Sequence, residues 1–307
     1  MRGEKGFALV LTLVVTALMV ALAAELIHQV YVDTSISRGF RDGQQASLLA
    51  ESGVDGGTKL FQFALANQDY TSLSDMWAKP FPWNDEVGSV ELNVVEENGK
   101  IDLNGLIRPN KTDIDDFTMN ALKRLGKRLQ IPEDCWSALA DWQSSGDSAR
   151  PGGAKTPYYK TLKPPYSARN DKLATLAELS LVKGFTPEII AKLRPFVTIY
   201  PIQTTMQSAL VNINTAPKEV LMALDDRVDD TMAGRIMDER KVQPFKSPGE
   251  LSRVDAQLAS ALAARITCKG SFYRVTSVGR VNDAARTVEA VVWMSGGTPG
   301  ILSWQEY

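Results

Sequence analysis

The sequence predicts an α+β fold carried on one long N-terminal helix, and three observations predict it. A run from Phe7 to Ala24 contains no charged residue, alternating apolar and polar runs lie near both ends of the remaining chain, and the stretch between those ends reads as helical. With 307 residues and 44% hydrophobic content, the chain can bury a substantial core.

The apolar run comes first. As a helix it is about 27 Å long, close to the thickness of a bilayer core. The basic leader Met1-Arg2-Gly3-Glu4-Lys5-Gly6 precedes it and Glu25 follows it, which orients the amino end toward the cytoplasm. Composition leaves two processing outcomes open. Ala21-Leu22-Ala23 ends a short apolar core as a secretory signal peptide does, and a cut there releases a soluble protein beginning at Ala24. A cut between Gly6 and Phe7 instead retains the helix as a permanent anchor. Residues 25–66 contain no proline, and apolar positions such as Leu26, Val30, Phe40, Leu48 and Leu60 lie among polar ones. The helix can therefore continue outward as an amphipathic stalk. Gly53, Gly56 and Gly57 weaken its middle, each by up to about 1 kcal/mol relative to alanine.

Beyond the stalk, Ser89–Val95 alternates, and Lys100-Ile-Asp-Leu alternates again after Asn98-Gly99. Asn-Gly between two such runs predicts a hairpin. Near the carboxyl end, Tyr273–Val281 and Arg286–Met294 form a second strand pair joined through Asn282-Asp283. From about Gly105 to Thr267 repeated Asn, Thr and Pro start signals precede apolar periodic stretches, as in a helical domain inserted into an α+β one. A weak internal echo sets Leu173-Ala-Thr-Leu-Ala-Glu-Leu, followed by Val182-Lys-Gly, against Asn214-Thr-Ala-Pro-Lys-Glu-Val-Leu ahead of Ser247-Pro-Gly-Glu-Leu-Ser-Arg-Val254, and suggests paired helical hairpins.

Composition argues against several functions. Lys+Arg total 34 against Asp+Glu 36, so no broad field attracts nucleic acid or anionic lipid. Cys135 and Cys268 form no CxxC pattern, which leaves either a disulfide in an oxidising compartment or two buried small hydrophobes. The sole histidine, His28, falls on the stalk where a general base has no pocket, and no nucleophile-elbow, Walker or Rossmann glycine pattern occurs. No catalytic residue, metal or cofactor is expected. Trp136, Trp142, Tyr158 and Tyr159 read as packing residues.

Several pieces occur together in one order: Gly6-Phe7 with its helix, Lys100-Ile-Asp-Leu-Asn104, Leu139-Ala-Asp-Trp142, Gly152-Gly-Ala154 with Tyr158-Tyr159, Leu176-Ala-Glu-Leu179, and Val211-Asn-Ile-Asn-Thr-Ala216. Over nearly its whole length the chain resembles the K-type minor pseudopilin of type II secretion. The resemblance implies a pseudopilin-like antiparallel sheet with an inserted helical domain containing helix-hairpin-helix-like (SAM-like) repeats. The implied divisions are a prepilin leader at 1–6, a transmembrane helix at 7–24, stalk and first strand pair at 25–104, the insert at 105–267, and the closing strand pair at 268–307.

It also implies cleavage after Gly6 by a prepilin peptidase, with methylation of Phe7, and anchoring in the inner membrane with the bulk of the chain in the periplasm. The implied partners are I- and J-type minor pseudopilins, other pseudopilins and inner-membrane secretion components. Pilin-like subunits generally carry a glutamate at the fifth mature residue, opposite the amine of a neighbour. Here that position is Leu11, which suits a tip subunit with no neighbour ahead of it.

In the same family the loop after Asp-Trp supplies the carboxylates of a calcium site. Here Asp141-Trp142 is followed by Gln143-Ser144-Ser145-Gly146, only Asp147 remains nearby, and Lys155 stands at the glutamate position after Gly153-Ala154. A carboxylate pair with an ammonium among it makes a poor calcium cage. The expectation is that Lys155 replaces the cation and pairs with Asp141 or Asp147.

One rival belongs to another class. Asn212-Ile-Asn-Thr-Ala216 and the residues after it resemble the helix-hairpin-helix repeats of membrane-anchored competence DNA receptors. Such repeats bind phosphate through Gly-x-Gly turns, whereas the turns here read Leu224-Asp-Asp-Arg-Val-Asp-Asp230 and Val254-Asp-Ala-Gln257. Carboxylates stand where phosphate must approach, so nucleic acid is not expected as a partner.

Overall fold

The computed structural model describes residues 3–66, 68–200, 210–294 and 299–307. Helix α1 spans Gly3–Leu65, and the absence of proline lets it run unbroken from the apolar segment into the stalk. Its first part lies free. Its second part packs through Ala46, Ala50, Val54, Phe61 and Leu65, a stripe at helical spacing, against an antiparallel sheet. The glycines that weaken α1 have a packing use there. A Cβ on Gly53 would sit 2.2 Å from Ser277 Oγ, and one on Gly57 2.4 Å from a Leu92 methyl, so only glycine lets the helix approach this closely.

The chain then forms strands β1 (Phe81–Asn84), β2 (Ser89–Glu96) and β3 (Ile101–Asp102), followed by helices α2 (Asp116–Leu129), α3 (Asp134–Gln143), α4 (Thr156–Tyr159) and α5 (Pro187–Leu193). Strands β4 (Val197–Thr198) and β5 (Val211–Asn212) lead to α6 (Lys218–Leu224), α7 (Asp230–Val242), α8 (Ala256–Leu262) and β6 (Ile266–Thr267). The chain closes with β7 (Phe272–Val281), β8 (Ala284–Trp293) and β9 (Gly300–Glu306). The main sheet runs β1-β2-β7-β8-β9 with every neighbour antiparallel, so a strand from before the insert pairs with one from after it.

The carboxyl-terminal hairpin matches its sequence pattern. Asn282 takes a left-handed φ of 51° in the turn between Val281 and Ala284, and its amide donates to Asp42 on α1 at 2.8 Å. The Asn98-Gly99 hairpin does not form. Glu97–Gly99 make a 3₁₀ turn, β2 has both edges occupied by β1 and β7, and β3 pairs in parallel with β4. Asn98 serves the tertiary structure instead, its Oδ1 accepting from the backbone N–H groups of Ser271 (2.9 Å) and Phe272 (3.0 Å). Gly99 lies where a Cβ would come within 2.9 Å of Thr215 Oγ1. Strand β9 was not legible in the alternation.

The helical insert is a duplicated unit. Each copy has a short strand, an Asx turn, a 3₁₀ segment (Leu176–Leu181 or Pro248–Arg253), a capped helix (α5 or α8) and a parallel partner strand. In the first copy Asn104 Oδ1 accepts from Leu173 N at 2.7 Å, and its Nδ2 donates to the carbonyls of Leu173 (3.0 Å) and Ile199 (2.8 Å). Asn214 repeats this in the second copy, accepting from Phe245 N at 2.9 Å and donating to the carbonyls of Phe245 (2.8 Å) and Cys268 (3.4 Å). The echo in the sequence is this repetition: Glu178 and Glu250 each accept from the backbone N–H four residues earlier, both at 3.1 Å. Helices α2 and α6 pack together and join the copies around one apolar core that includes Trp136, Leu139, Tyr159 and Phe245.

Trp136, Trp142 and Tyr159 are buried, whereas Tyr158 is exposed, its ring edge against Tyr159. Cys135 and Cys268 are both buried and both free, so of the two readings the small-hydrophobe one holds in this structure. Burial pushes the Cys268 thiol up to about 12.

The two copies differ in one informative position. Asp102 Oδ1 accepts from Asn104 N at 2.8 Å, and in the second copy Asn212 Oδ1 accepts from Asn214 N at 3.0 Å. The Asp102 carboxyl is buried with no ion pair among the described residues, and burial pushes it up to about 8 against the pull of the Asn104 N–H and of Lys172. The folded state therefore holds a proton that the unfolded chain releases near pH 4, and stability is lost as pH rises through about 8. Asp102→Asn should raise the unfolding free energy at pH 8 by about 2 kcal/mol and change it far less at pH 4. Urea denaturation at the two pH values measures the difference.

Candidate functional site: the N-terminal helix and the Asp141 loop

Two regions carry the residues singled out in the sequence. The first is the free part of α1. Its apolar segment has a mean hydropathy of 2.7 in an 18-residue window with none of that window buried, and among the described residues it is the one helix long and apolar enough to cross a membrane. Phe7 is 72% exposed and Leu11 53%, so neither is used in packing within the chain. The segment's hydroxyls turn inward on the helix: Thr12 donates to Leu9 O at 2.9 Å and Thr16 to Thr12 O at 2.6 Å. That removes polar groups from a surface otherwise fit for hydrocarbon. Gly6 lies within the helix with open space around its Cα, and His28 is exposed on the stalk.

The second region is the loop after α3. Asp141, fully buried at the end of α3, faces the bend through Gly152 (φ 76°) and Gly153. A Cβ on Gly153 would stand 2.0 Å from Asp141 Oδ2, so the glycine lets the backbone close over the carboxylate. The charge on Asp141 is met by Arg150. The guanidinium donates to Asp141 Oδ1 at 2.6 Å, the Arg150 backbone N–H donates to Oδ2 at 2.9 Å, and the same side chain reaches Ser144 Oγ (2.9 Å) and Thr112 O (3.0 Å).

Lys155 is buried, but it makes no ion pair with Asp141 or Asp147. Its ammonium donates to Ser144 O at 2.5 Å and to Ser144 Oγ at 3.1 Å. This corrects the expected pairing, and the reason is geometric: Arg150 arrives first in the chain and covers Asp141 with both its backbone and its side chain, leaving Lys155 the carbonyl. Burial pushes the Lys155 ammonium down, against the opposing pull of Asp141. Asp147 is exposed. Arg150 could have been found in the sequence as the one cation between Trp142 and Gly152.

Among the described residues no group of three or more His, Cys, Asp or Glu side chains is placed to hold a metal ion. The helix starts compared with phosphate-binding hairpins are already capped by carboxylates. Asp229 Oδ1 accepts from Met232 N at 2.7 Å at the start of α7, and Asp255 Oδ1 accepts from Leu258 N at 2.7 Å at the start of α8. Between α6 and α7, Asp225 pairs with Arg227 at 2.8 Å and Asp226 with Arg124 at 2.6 Å.

Comparison with known proteins agrees with this architecture. Residues 99–202 and 211–267 each match a family described as type II secretion system (T2SS), protein K, and the two matches coincide with the two copies of the repeated unit. The chain is similar to type II secretion system protein K of Pseudomonas aeruginosa, with 28% identity over 84% of this chain and 79% of that protein. It is similar also to the Aeromonas hydrophila protein K, with 26% identity over 94% and 93% of the two chains. Its fold resembles a chain in the crystal structure of the GspK-GspI-GspJ complex from enterotoxigenic Escherichia coli, with a TM-score of 0.71 at 22% identity, covering 88% of this chain and 99% of that one. With the free apolar helix, the pilin-like helix-on-sheet packing and the duplicated insert, these matches make the chain a member of the type II secretion system protein K family of minor pseudopilins.

Proposed function

We propose that this chain is the tip subunit of a type II secretion pseudopilus, assembled first and closing the filament at its distal end during export of folded proteins. The observation that carries this reading is the combination in α1 of an unpartnered apolar half with Leu11 at the position where subunits of the shaft need a carboxylate. A carboxylate in hydrocarbon is stable only beside a cation, so a subunit with none ahead of it is better served by leucine. The duplicated insert on the sheet adds bulk that obstructs a further subunit above. The part is structural rather than enzymatic, and it requires no cofactor.

In this reading residues 1–6 form a leader removed after Gly6, 7–24 the inner-membrane span, and 25–104 with 268–307 the periplasmic pseudopilin body around the insert at 105–267. I- and J-type minor pseudopilins are the immediate partners, a reading supported by the likeness to a chain solved in complex with GspI and GspJ. The carboxylate caps of α7 and α8 disfavour the DNA-binding alternative.

The Asp141 loop is tied by internal cations in place of calcium. Both carboxylate oxygens of Asp141 and the Ser144 carbonyl, the natural ligands for an ion there, already accept from Arg150 and Lys155.

Mass spectrometry of the mature chain should find N-methyl-Phe7 at its start, and Gly6→Glu should retain the leader. A mature terminus at Ala24 would refute the reading. Immunogold labelling should mark filament ends, with labelling along shafts as the contrary result. Arg150→Ala should cost about 2–3 kcal/mol in stability by leaving a buried carboxylate short of its cation, with Arg150→Lys recovering part of it. Calcium should leave the melting temperature of the wild-type protein unchanged, and a calcium-dependent rise lost in Asp141→Ala would count against the loop assignment.

A further inference from the structure

Where the insert meets the sheet, two ionisable side chains are buried with no ion pair among the described residues, and both act on the same turn. Glu96, the last residue of β2, is buried among neutral donors. Thr71 Oγ1 donates to its Oε2 at 2.7 Å, while Asn212 Nδ2 (2.7 Å) and Thr215 Oγ1 (3.1 Å) donate to its Oε1. Arg240, buried on α7, donates through Nη1 to the carbonyls of Ile213 and Ala216, both at 2.8 Å. The turn Asn212–Ala216 thus presents its side-chain donors to a carboxyl of the sheet and its carbonyls to a guanidinium of the insert. A carboxyl and a guanidinium that do not touch are thereby joined through one turn.

We propose that Glu96, the Asn212–Ala216 turn and Arg240 form one pH-responsive latch that holds the helical insert against the sheet.

The hydrogen-bond geometry selects a carboxyl at position 96. Thr71 Oγ1 already accepts from Gly270 N (2.9 Å) and Asn212 Nδ2 (2.8 Å), so its single proton must go to Glu96 Oε2. Asn212 cannot be reversed, because its Oδ1 accepts from Asn214 N at 3.0 Å. Oε2 is therefore an acceptor in every state, and a proton on the carboxyl must reside on Oε1, with the Thr215 hydroxyl rotating from donor to acceptor. Glutamine fits neither way: its NH₂ would meet Asn212 N–H on one side or the saturated Thr71 oxygen on the other.

Burial pushes the Glu96 carboxyl up to about 7 against these three donors. The charged or titratable groups facing it are Asp75, from the segment after α1, which also pushes it up, and Tyr273 on β7, itself pushed up by burial. On its own strand side, Glu97 turns away to Lys100 and Arg274, both at 2.8 Å, and the turn from the insert presents no titratable side chain. When the seam opens, water reaches Glu96 and its affinity for a proton falls to that of an ordinary carboxyl. The closed seam thus holds the proton more tightly. Its stability is full below about pH 4.5 and is lost as pH rises toward about 7.

Hydrogen exchange on the full chain in nanodiscs between pH 5 and pH 8, corrected for intrinsic rates, tests this at two amides of the seam. Thr71 N donates to Cys268 O at 2.9 Å and Gly270 N to Thr71 Oγ1. Their opening constant should rise at least tenfold from pH 5 to pH 8, since each unit of difference in proton affinity is worth tenfold. Glu96→Gln should start weaker and show no such rise, and because Asp102 titrates in both proteins the comparison cancels it. Arg240→Met should lose protection at the same amides at every pH, while the β7–β8 hairpin keeps its protection. Constant wild-type protection, or the same rise in Glu96→Gln, overturns the proposal. Should that variant not fold, NMR of 13Cδ-labelled glutamate in the wild type decides. One carboxyl must titrate with the midpoint of the exchange profile, and a mismatch overturns the latch.

Discussion

The structure depends on how the chain leaves the sheet and returns to it. Strand β2 ends at Glu96 and β7 begins at Phe272 beside it, with Glu96 opposite Tyr273 in the register. More than half the chain is enclosed between two stems that must stay adjacent. Backbone pairing of β2 with β7 supplies the adjacency. Three consecutive polar residues convert it into a unique geometry: Glu96 reaches the insert, Glu97 binds Lys100 and Arg274, and Asn98 accepts from the two N–H groups that start β7. Buried polar contacts of this kind are costly unless complete, which makes them selective for one arrangement.

Two modes of packing meet at that seam. On the membrane side, α1 lies on the sheet through alanine and glycine, and small residues allow a close, largely apolar contact. Beyond it, the insert is built twice around an asparagine that satisfies backbone groups from distant segments. Asn104 and Asn214 each bind a residue tens of positions away and so replace regular sheet pairing, for which the two-residue ribbons are too short. The proposed tip role draws on the same division. The apolar half of α1 is left unpacked, and the insert is carried on the sheet apart from it.

The loop at Asp141 closes around a buried carboxylate whose charge the chain itself neutralises. Gly153 admits the backbone to the carboxylate, and once it does so an arginine nine residues along can cover the charge. Arg150 covers the carboxylate with both its backbone N–H and its guanidinium. Lys155, five residues further on, is buried too, but its ammonium satisfies the Ser144 carbonyl instead.

The sequence by itself determined the features that depend on periodicity and local chemistry. These include the uncharged Phe7–Ala24 run, the unbroken α1, the β7–β8 hairpin at Asn282-Asp283, the helical character of the middle and the burial of Trp136 and Trp142. Their signals repeat every 2 or 3.6 residues or reside in a single turn, so a local reading suffices. Tertiary structure alone decided that Asn98-Gly99 stitches the seam instead of closing a hairpin, that Gly53 and Gly57 serve contact rather than flexibility, and that Arg150 holds Asp141. It also brought Glu96 and Arg240 to opposite sides of one turn. Each of these outcomes rests on partners more than a turn or strand away, and a hydrogen bond or charge has no period by which its distant partner could be read.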